Sequence, residues 1–346
     1  MRVLIDSDSG CCNGVRMAIE KSEEFLKDND SLYSLGAIVH NGAEIARLSE
    51  LGMRTIGYDY LSNLKNETVL IRAHGEPPST YATLEKLGVK YIDCTCPVVL
   101  GLQRKIAAKY AEISPLGGKI LIFGKSGHAE VNGLVGQVSN TNDVMVVESL
   151  DSLKDAFAAG QIDLSKPLAV FSQTTKDPAQ YQELCDFLRE NSSSSGDLSV
   201  YNTICGQVSS RRKKLEKFAS ECSVILFVCG KESSNGKVLY DLCKNINPRS
   251  YKIEGVEDID LSQIKCDDVV GICGATSTTH WQLEKIAEYV NNFISLHKFS
   301  RNGDFISNKQ HCNYPTEKGS GSTIRAYSGY ACRFRRTEYC CSARYR

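Results

Sequence analysis

Cys12-Asn-Gly-Val15, Cys96-Pro-Val-Val99 and Cys205-Gly-Gln-Val208 share the pattern Cys-x-x-Val, and each stands just before a segment with helical spacing: Arg16 to Leu26, Gln103 to Glu112 and Arg211 to Glu221. After each helix comes a short β-branched run ending in polar residues: His40-Asn41, Gly124-Lys125 and Gly230-Lys231. A second run follows in each unit and ends at Ala73-His74-Gly75, Gln173-Thr174-Thr175 or Ala275-Thr276-Ser277. A threefold internal repeat is the economical reading. Strands are expected at Val3 to Ile5, Gly36 to Val39, Thr68 to Ile71, Lys119 to Phe123, Leu168 to Phe171, Val224 to Val228 and Val269 to Ile272, with helices such as Val15 to Lys27 and Val208 to Ser220 between them. Such alternation means an α/β protein with mostly parallel strands. Ligand groups in open α/β sheets gather at the carboxyl ends of the strands, so three units can aim these ends at one centre. The expected shape is three pseudo-repeated α/β domains around a central cavity.

Unit boundaries are expected near residue 97 and near residue 200, the second after the Ser-rich stretch Asn191 to Gly196. This gives units 1–97, 98–199 and 200–299. From residue 300 the character changes: residues 301–346 carry nine Lys/Arg against three Asp/Glu and show no sustained apolar period. They are expected to form a basic, disordered tail. The 346 residues hold 41 Lys+Arg and 41 Asp+Glu, which removes the global basic signature of a nucleic-acid binder. No apolar run approaches the roughly 18 residues of a membrane span, and the N-terminus has neither a signal-peptide nor a transit-peptide pattern. The 15 cysteines are too sparse for a disulfide scaffold; reduced thiols in a cytoplasmic protein are expected, most of them small buried hydrophobes.

Three cysteines at equivalent helix starts call for a different explanation. A helix N-terminus offers free N–H groups and a positive dipole end, which stabilises a thiolate. Three converging thiolates suit an iron–sulfur cluster with one iron lacking a protein ligand, or a zinc ion completed by His or water; coincidental core cysteines are the plain alternative. The absence of CxxC pairing leans toward the cluster. The other strand ends bring His40, His74, His128, Thr174, Ser233, Ser234, Asn235 and Ser277, hydrogen-bonding groups without balancing acids, which suits a phosphate or diphosphate. Glu130, two residues after His128, is the one carboxylate in this set. Beside an anionic ligand its pKa would rise, making it a natural proton donor; a solvent-facing helix-start Glu is the alternative.

Gly10-Cys-Cys-Asn-Gly-Val15, Val39-His-Asn41, Ala73-His-Gly75, Asp93-Cys-Thr-Cys-Pro97, Gly127-His-Ala-Glu130, Gln173-Thr-Thr175, Ser233-Ser-Asn235 and Gly274-Ala-Thr-Ser277 occur in order over residues 1 to about 295. Together they resemble the LytB-type 4-hydroxy-3-methylbut-2-enyl diphosphate reductase family, the last step of the methylerythritol phosphate route to isoprenoids. That resemblance implies a trefoil around one [4Fe-4S] cluster held by Cys12, Cys96 and Cys205, with one iron open to the substrate hydroxyl. It implies an allylic diphosphate lying among His40, His74, His128, Ser233, Ser234, Asn235 and Ser277, with Thr174 and Glu130 near the hydroxyl. It also implies an electron donor such as ferredoxin or flavodoxin, and isopentenyl and dimethylallyl diphosphate as products. Cys11 and Cys94 stand where the family usually has an aromatic and a small residue, and Thr278-Thr-His-Trp281 where it usually has Thr-Pro-Asp-Trp. Quinolinate synthase combines a similar architecture with three cysteines but lacks the His-Asn, Ala-His-Gly and Ser-Ser-Asn set; a zinc or iron–sulfur module without a diphosphate pocket is the non-enzyme alternative.

Overall fold

A computed structural model describes residues 1–39, 41–192, 197–230, 233–265, 267–298, 333–335 and 338–340, with backbone alone at 234–235, 296–298 and the last two segments. Residues 1–299 form one compact unit. Its strands make three four-stranded sheets, every pairing parallel. The first joins β2 (Leu32–Leu35), β3 (Met53–Ile56), β4 (Thr68–Ile71) and β5 (Lys90–Asp93) in the order β3-β2-β4-β5. The second repeats it with β6 (Lys119–Phe123), β7 (Val144–Val147), β8 (Leu168–Ser172) and β9 (Leu198–Val200), ordered β7-β6-β8-β9.

The third sheet contains β10 (Val224–Val228), β11 (Ser250–Ile253) and β12 (Val269–Gly274), and its fourth strand is β1 (Arg2–Ile5), the start of the chain. β1 occupies beside β12 the place that β5 and β9 take beside β4 and β8, in the register Arg2 to Val269 through Ile5 to Ile272. The three lobes are therefore equivalent by circular permutation, and β1, although it lies within residues 1–97, belongs to the third sheet. Arg211 reinforces this join, since its guanidinium donates to Ser9 Oγ and to the Gly274 carbonyl, both at 2.6 Å.

Each sheet is covered on both faces, as parallel sheets require. In the second lobe Leu121, Phe123, Leu168 and Val170 pack into one cluster, and the alternate residues Ile120, Ile122, Ala169 and Phe171 into another. The other two sheets divide in the same way. Three helices lead from one lobe into the next: α1 (Asn13–Leu26), α4 (Pro97–Ile113) and α8 (Gly206–Glu221). Within the lobes lie α2 (Gly42–Glu50), α3 (Pro78–Leu87), α5 (Ala129–Val135), α6 (Leu150–Ala158), α7 (Pro178–Asn191), α9 (Ser234–Ile246) and α10 (His280–Lys298).

One expected strand is displaced. Gly36 to Val39 is not extended ladder; the strand is the preceding Leu32–Leu35, buried throughout, and Gly36 ends it with φ +77°, a left-handed conformation that disfavours residues with a Cβ. Arg333–Arg335 and Glu338–Cys340 pair as two short antiparallel strands; the rest of the expected tail lies outside the described residues.

Candidate functional site

Each of the three repeat cysteines is the residue immediately before its helix: Cys12 before α1, Cys96 before α4 and Cys205 before α8. Their backbones are tethered alike. Cys96 N–H donates to the Ala73 carbonyl (3.0 Å), Cys205 N–H to Thr174 (2.9 Å) and Cys12 N–H to Thr276 (3.3 Å), each acceptor standing two residues beyond the third strand of a lobe, β4, β8 or β12. Each thiol is thus carried by one lobe at the root of the helix entering the next.

None of the three side chains caps its own helix, and all three are free thiols. Burial pushes the Cys12 thiol above its ordinary value; the backbone N–H groups of Val15 and Gly14 oppose this, while negative charge on Cys96 and Cys205 adds to the rise. The Cys12 thiol therefore lies within electrostatic range of both other repeat cysteines. Gly14 makes the approach possible, because a Cβ there would lie 2.9 Å from Cys96 Cβ and 3.1 Å from its Sγ. Among the described residues no three His, Cys, Asp or Glu side chains are grouped closely enough to hold a metal ion. Cys11, the neighbouring thiol, turns away: it donates to the Thr278 carbonyl (3.3 Å), packs on the apolar core of the first lobe, and burial pushes it up to about 12. Cys94 is fully buried in that same core.

Residues capping the helices after the first strand of each lobe are likewise equivalent. Asn41 Oδ1 accepts from Glu44 N, His128 Nδ1 from Glu130 N and Ser233 Oγ from Gly236 N. With Nδ1 committed as acceptor, His128 presents Nε2 as its donor nitrogen. The His74 ring stands edge-on to the His128 ring, with centroids 5.4 Å apart, joining the first lobe to the second. In the third lobe Ser233 Oγ and Ser277 Oγ approach to 3.5 Å. His40 lies outside the described residues, as do the side chains of Ser234 and Asn235, although their backbone opens α9.

Glu130 is 2% exposed, so the solvent-facing alternative does not hold. Thr174 grips its carboxylate, donating from its backbone N–H to Oε1 (2.7 Å) and from Oγ1 to Oε2 (2.9 Å). Burial pushes the carboxyl up to about 7 against the lowering effect of these two bonds. It can therefore hold or release a proton near neutral pH. His280 is exposed at the start of α10, with Nε2 3.4 Å from Glu284 Oε1.

Two further residues, Asn41 and Gln282, have no task that their local sequence reveals. Asn41 Nδ2 donates across lobes to the Ser277 carbonyl (2.9 Å) and to Gln282 Oε1 (2.6 Å). A glutamine on a helix gives no such signal; its partner lies 241 residues away. A cleft of about 770 Å³ opens beside Cys11 and Cys12, lined also by Arg16, Arg211, Lys214 and Trp281.

Fold and site together define a three-lobed α/β protein in which each lobe carries one cysteine at the same structural position, just before a helix, and one polar side chain capping the helix after its first strand. The family model described as LytB protein matches residues 3–291. A 4-hydroxy-3-methylbut-2-enyl diphosphate reductase of Bacteroides fragilis is 44% identical over 290 residues, covering 84% of this chain and 97% of the relative. The same-named protein of Porphyromonas gingivalis is 44% identical over 292 residues, covering 84% and 98%. A solved structure of (E)-4-hydroxy-3-methyl-but-2-enyl diphosphate reductase, described as the terminal enzyme of the non-mevalonate pathway, superposes with a TM-score of 0.66 at 31% identity, over 84% of this chain and 100% of that one. The Plasmodium falciparum enzyme shares the fold, with a TM-score of 0.70 at 24% identity over 84% of this chain and 87% of that one. The chain belongs to the LytB family.

Proposed function

We propose that the protein reduces (E)-4-hydroxy-3-methylbut-2-enyl diphosphate, removing its hydroxyl as water with two electrons and two protons to give isopentenyl and dimethylallyl diphosphate. The observation that carries this reading is the equivalent placement of Cys12, Cys96 and Cys205 before three helices, together with a buried carboxyl, Glu130, that Thr174 grips while its own carbonyl accepts from Cys205 N–H. Cys12, Cys96 and Cys205 would hold one [4Fe-4S] cluster with one iron free of protein ligands, and when bound the cluster supplies the electrons.

The chain's own residues do the rest. His74 and His128, with Ser233 and Ser277, present donors where a diphosphate would lie, and His40, Ser234 and Asn235 complete this subsite. Glu130 holds a proton at its carboxyl and passes it to the leaving oxygen. Thr174 fixes the carboxylate plane and accounts for two of its hydrogen bonds. Burial keeps bulk water from competing as proton source.

Each repeat is best read as running from one ligand cysteine to the next, with residues 1–11 completing the third unit. An acidic one-electron carrier such as ferredoxin or flavodoxin is the fitting donor. The ten cysteines whose side chains are described are all free, which supports a reducing compartment such as the cytoplasm; among the described residues no helix is long and apolar enough to cross a membrane. Anaerobic turnover with reduced methyl viologen, followed by separation of the products, tests the activity. An iron and sulfide assay tests the cluster. Zinc without sulfide, or no isoprenyl diphosphate product, would refute the reading.

A further inference from the structure

We propose that Asn41 is a positioning residue for the diphosphate: its carboxamide locks the Ser277 loop of the third lobe to the start of α2 in the first, so that the Ser277 side of the subsite is held in place by a neighbouring lobe. The inference rests on the diphosphate reading above.

Asn41 is the helix-capping member of the first lobe, equivalent to His128 and Ser233. Capping alone needs an acceptor oxygen, and Asp, Ser or Thr would serve as well as Asn. What Asn adds is a pair of donors, and both are spent across the lobe boundary, on the Ser277 carbonyl and on Gln282 Oε1. Its Oδ1 accepts from Glu44 N and from Gln282 Nε2, both at 3.3 Å, so the carboxamide uses its full bonding capacity while buried.

Gln282 is built to receive it. Its Oε1 also accepts from Thr279 N (3.0 Å) and Thr279 Oγ1 (2.9 Å), which ties the first turn of α10 to the Ser277 loop. Thr278 Oγ1 anchors the same loop to the Val228 carbonyl (2.6 Å). The loop that carries Ser277 is thus held from several sides, and Asn41 ties it to the first lobe together with a neighbouring bond between the same two elements, Trp281 Nε1–H to Glu44 Oε2 (2.9 Å). Through these bonds a shift at the start of α2 is transmitted to the Ser277 loop. A residue acting this way should govern how well the diphosphate is held, while proton delivery by Glu130, in the second lobe, proceeds unchanged once substrate is bound.

Two variants separate positioning from capping. Asn41→Asp keeps the cap oxygen but turns both cross-lobe donors into acceptors facing acceptors. Asn41→Ser keeps a neutral cap and cannot reach. On cluster-loaded enzyme, both should raise KM roughly three- to tenfold, the factor for one lost neutral hydrogen bond, with kcat and the cluster absorption retained. Calorimetric binding of inorganic diphosphate should weaken by the same factor, and Gln282→Met should shift it in the same direction by less. Ser277→Ala separates the two layers of the reading. If it leaves diphosphate binding unchanged, the subsite is wrong and the inference falls with it. If it weakens binding while both Asn41 variants bind normally, the positioning role alone is refuted. A parallel fall in cluster content, melting temperature and kcat in both Asn41 variants would make Asn41 a purely structural cap and likewise overturn it.

Discussion

Replacing Glu130 with Gln tests the proton-delivery assignment through two independent readouts. The side chain keeps its shape, and Thr174 N–H can still donate to the amide oxygen while Thr174 Oγ1, now facing NH₂, turns to accept. What disappears is the titrating proton. General acid catalysis is typically worth about 10²–10⁴-fold, so turnover with reduced methyl viologen should fall at least ~10²-fold, with KM and the cluster spectrum nearly unchanged. Stability supplies the second readout. The folded carboxyl is raised from 4.5 to about 7, a gap worth about 3 kcal/mol at ~1.4 kcal/mol per pH unit. Because the folded value lies above the unfolded one, Glu130's contribution is fully present below pH 4.5 and is lost as pH rises through about 7. Wild-type stability should therefore drop by up to about 3 kcal/mol between those limits, over and above any change seen in Glu130→Gln, in anaerobic denaturant titrations at pH 5 and pH 8. Wild-type kcat/KM should decline above about pH 7 as the carboxyl ionises. Near-normal turnover in the variant, lost substrate binding in place of lost rate, or an identical pH slope of stability would refute the assignment.

Cys→Ser at Cys12, Cys96 or Cys205 should abolish most of the bound iron and sulfide and the activity with it, whereas Cys11→Ser and Cys94→Ala should largely retain both; cluster loss in Cys11→Ser with retention in Cys12→Ser would reverse the ligand assignment. Gly14→Val should lower cluster occupancy without unfolding the lobes, measured as iron per chain beside far-ultraviolet circular dichroism, since its side chain enters the space of the Cys96 thiol. Ending the chain at Phe299 should leave cluster content and viologen-driven turnover unchanged; a truncated protein unable to keep its cluster would make the tail part of the fold. With an acidic protein donor in place of viologen, the full chain should show the stronger loss of rate with added salt.

How much of this was legible in sequence follows from what each residue's task requires. Five of the six central strands were readable because they are mostly apolar runs, buried on both faces: Thr68–Ile71, Lys119–Phe123, Leu168–Ser172, Val224–Val228 and Val269–Gly274. The strands missed, β3, β5, β7, β9 and β11, are all sheet edges. An edge such as Lys90–Asp93 is mostly exposed, mixes charge with apolar residues, and is held by pairing on one side that no local pattern encodes.

Cys12, Cys96, Cys205 and Glu130 stood out for a different reason: the chemistry proposed for them demands particular residue types, and the repeat sets the three cysteines in register. The sequence by itself thus determined the α/β class, the threefold repeat and the thiols that set it. Tertiary structure alone decided that β1 closes the third sheet, that Glu130 is buried in the grip of Thr174, and that Asn41 reaches Ser277 and Gln282. These depend on pairings between distant residues, and local sequence records the capacity to donate or accept a hydrogen bond, never the partner that folding brings.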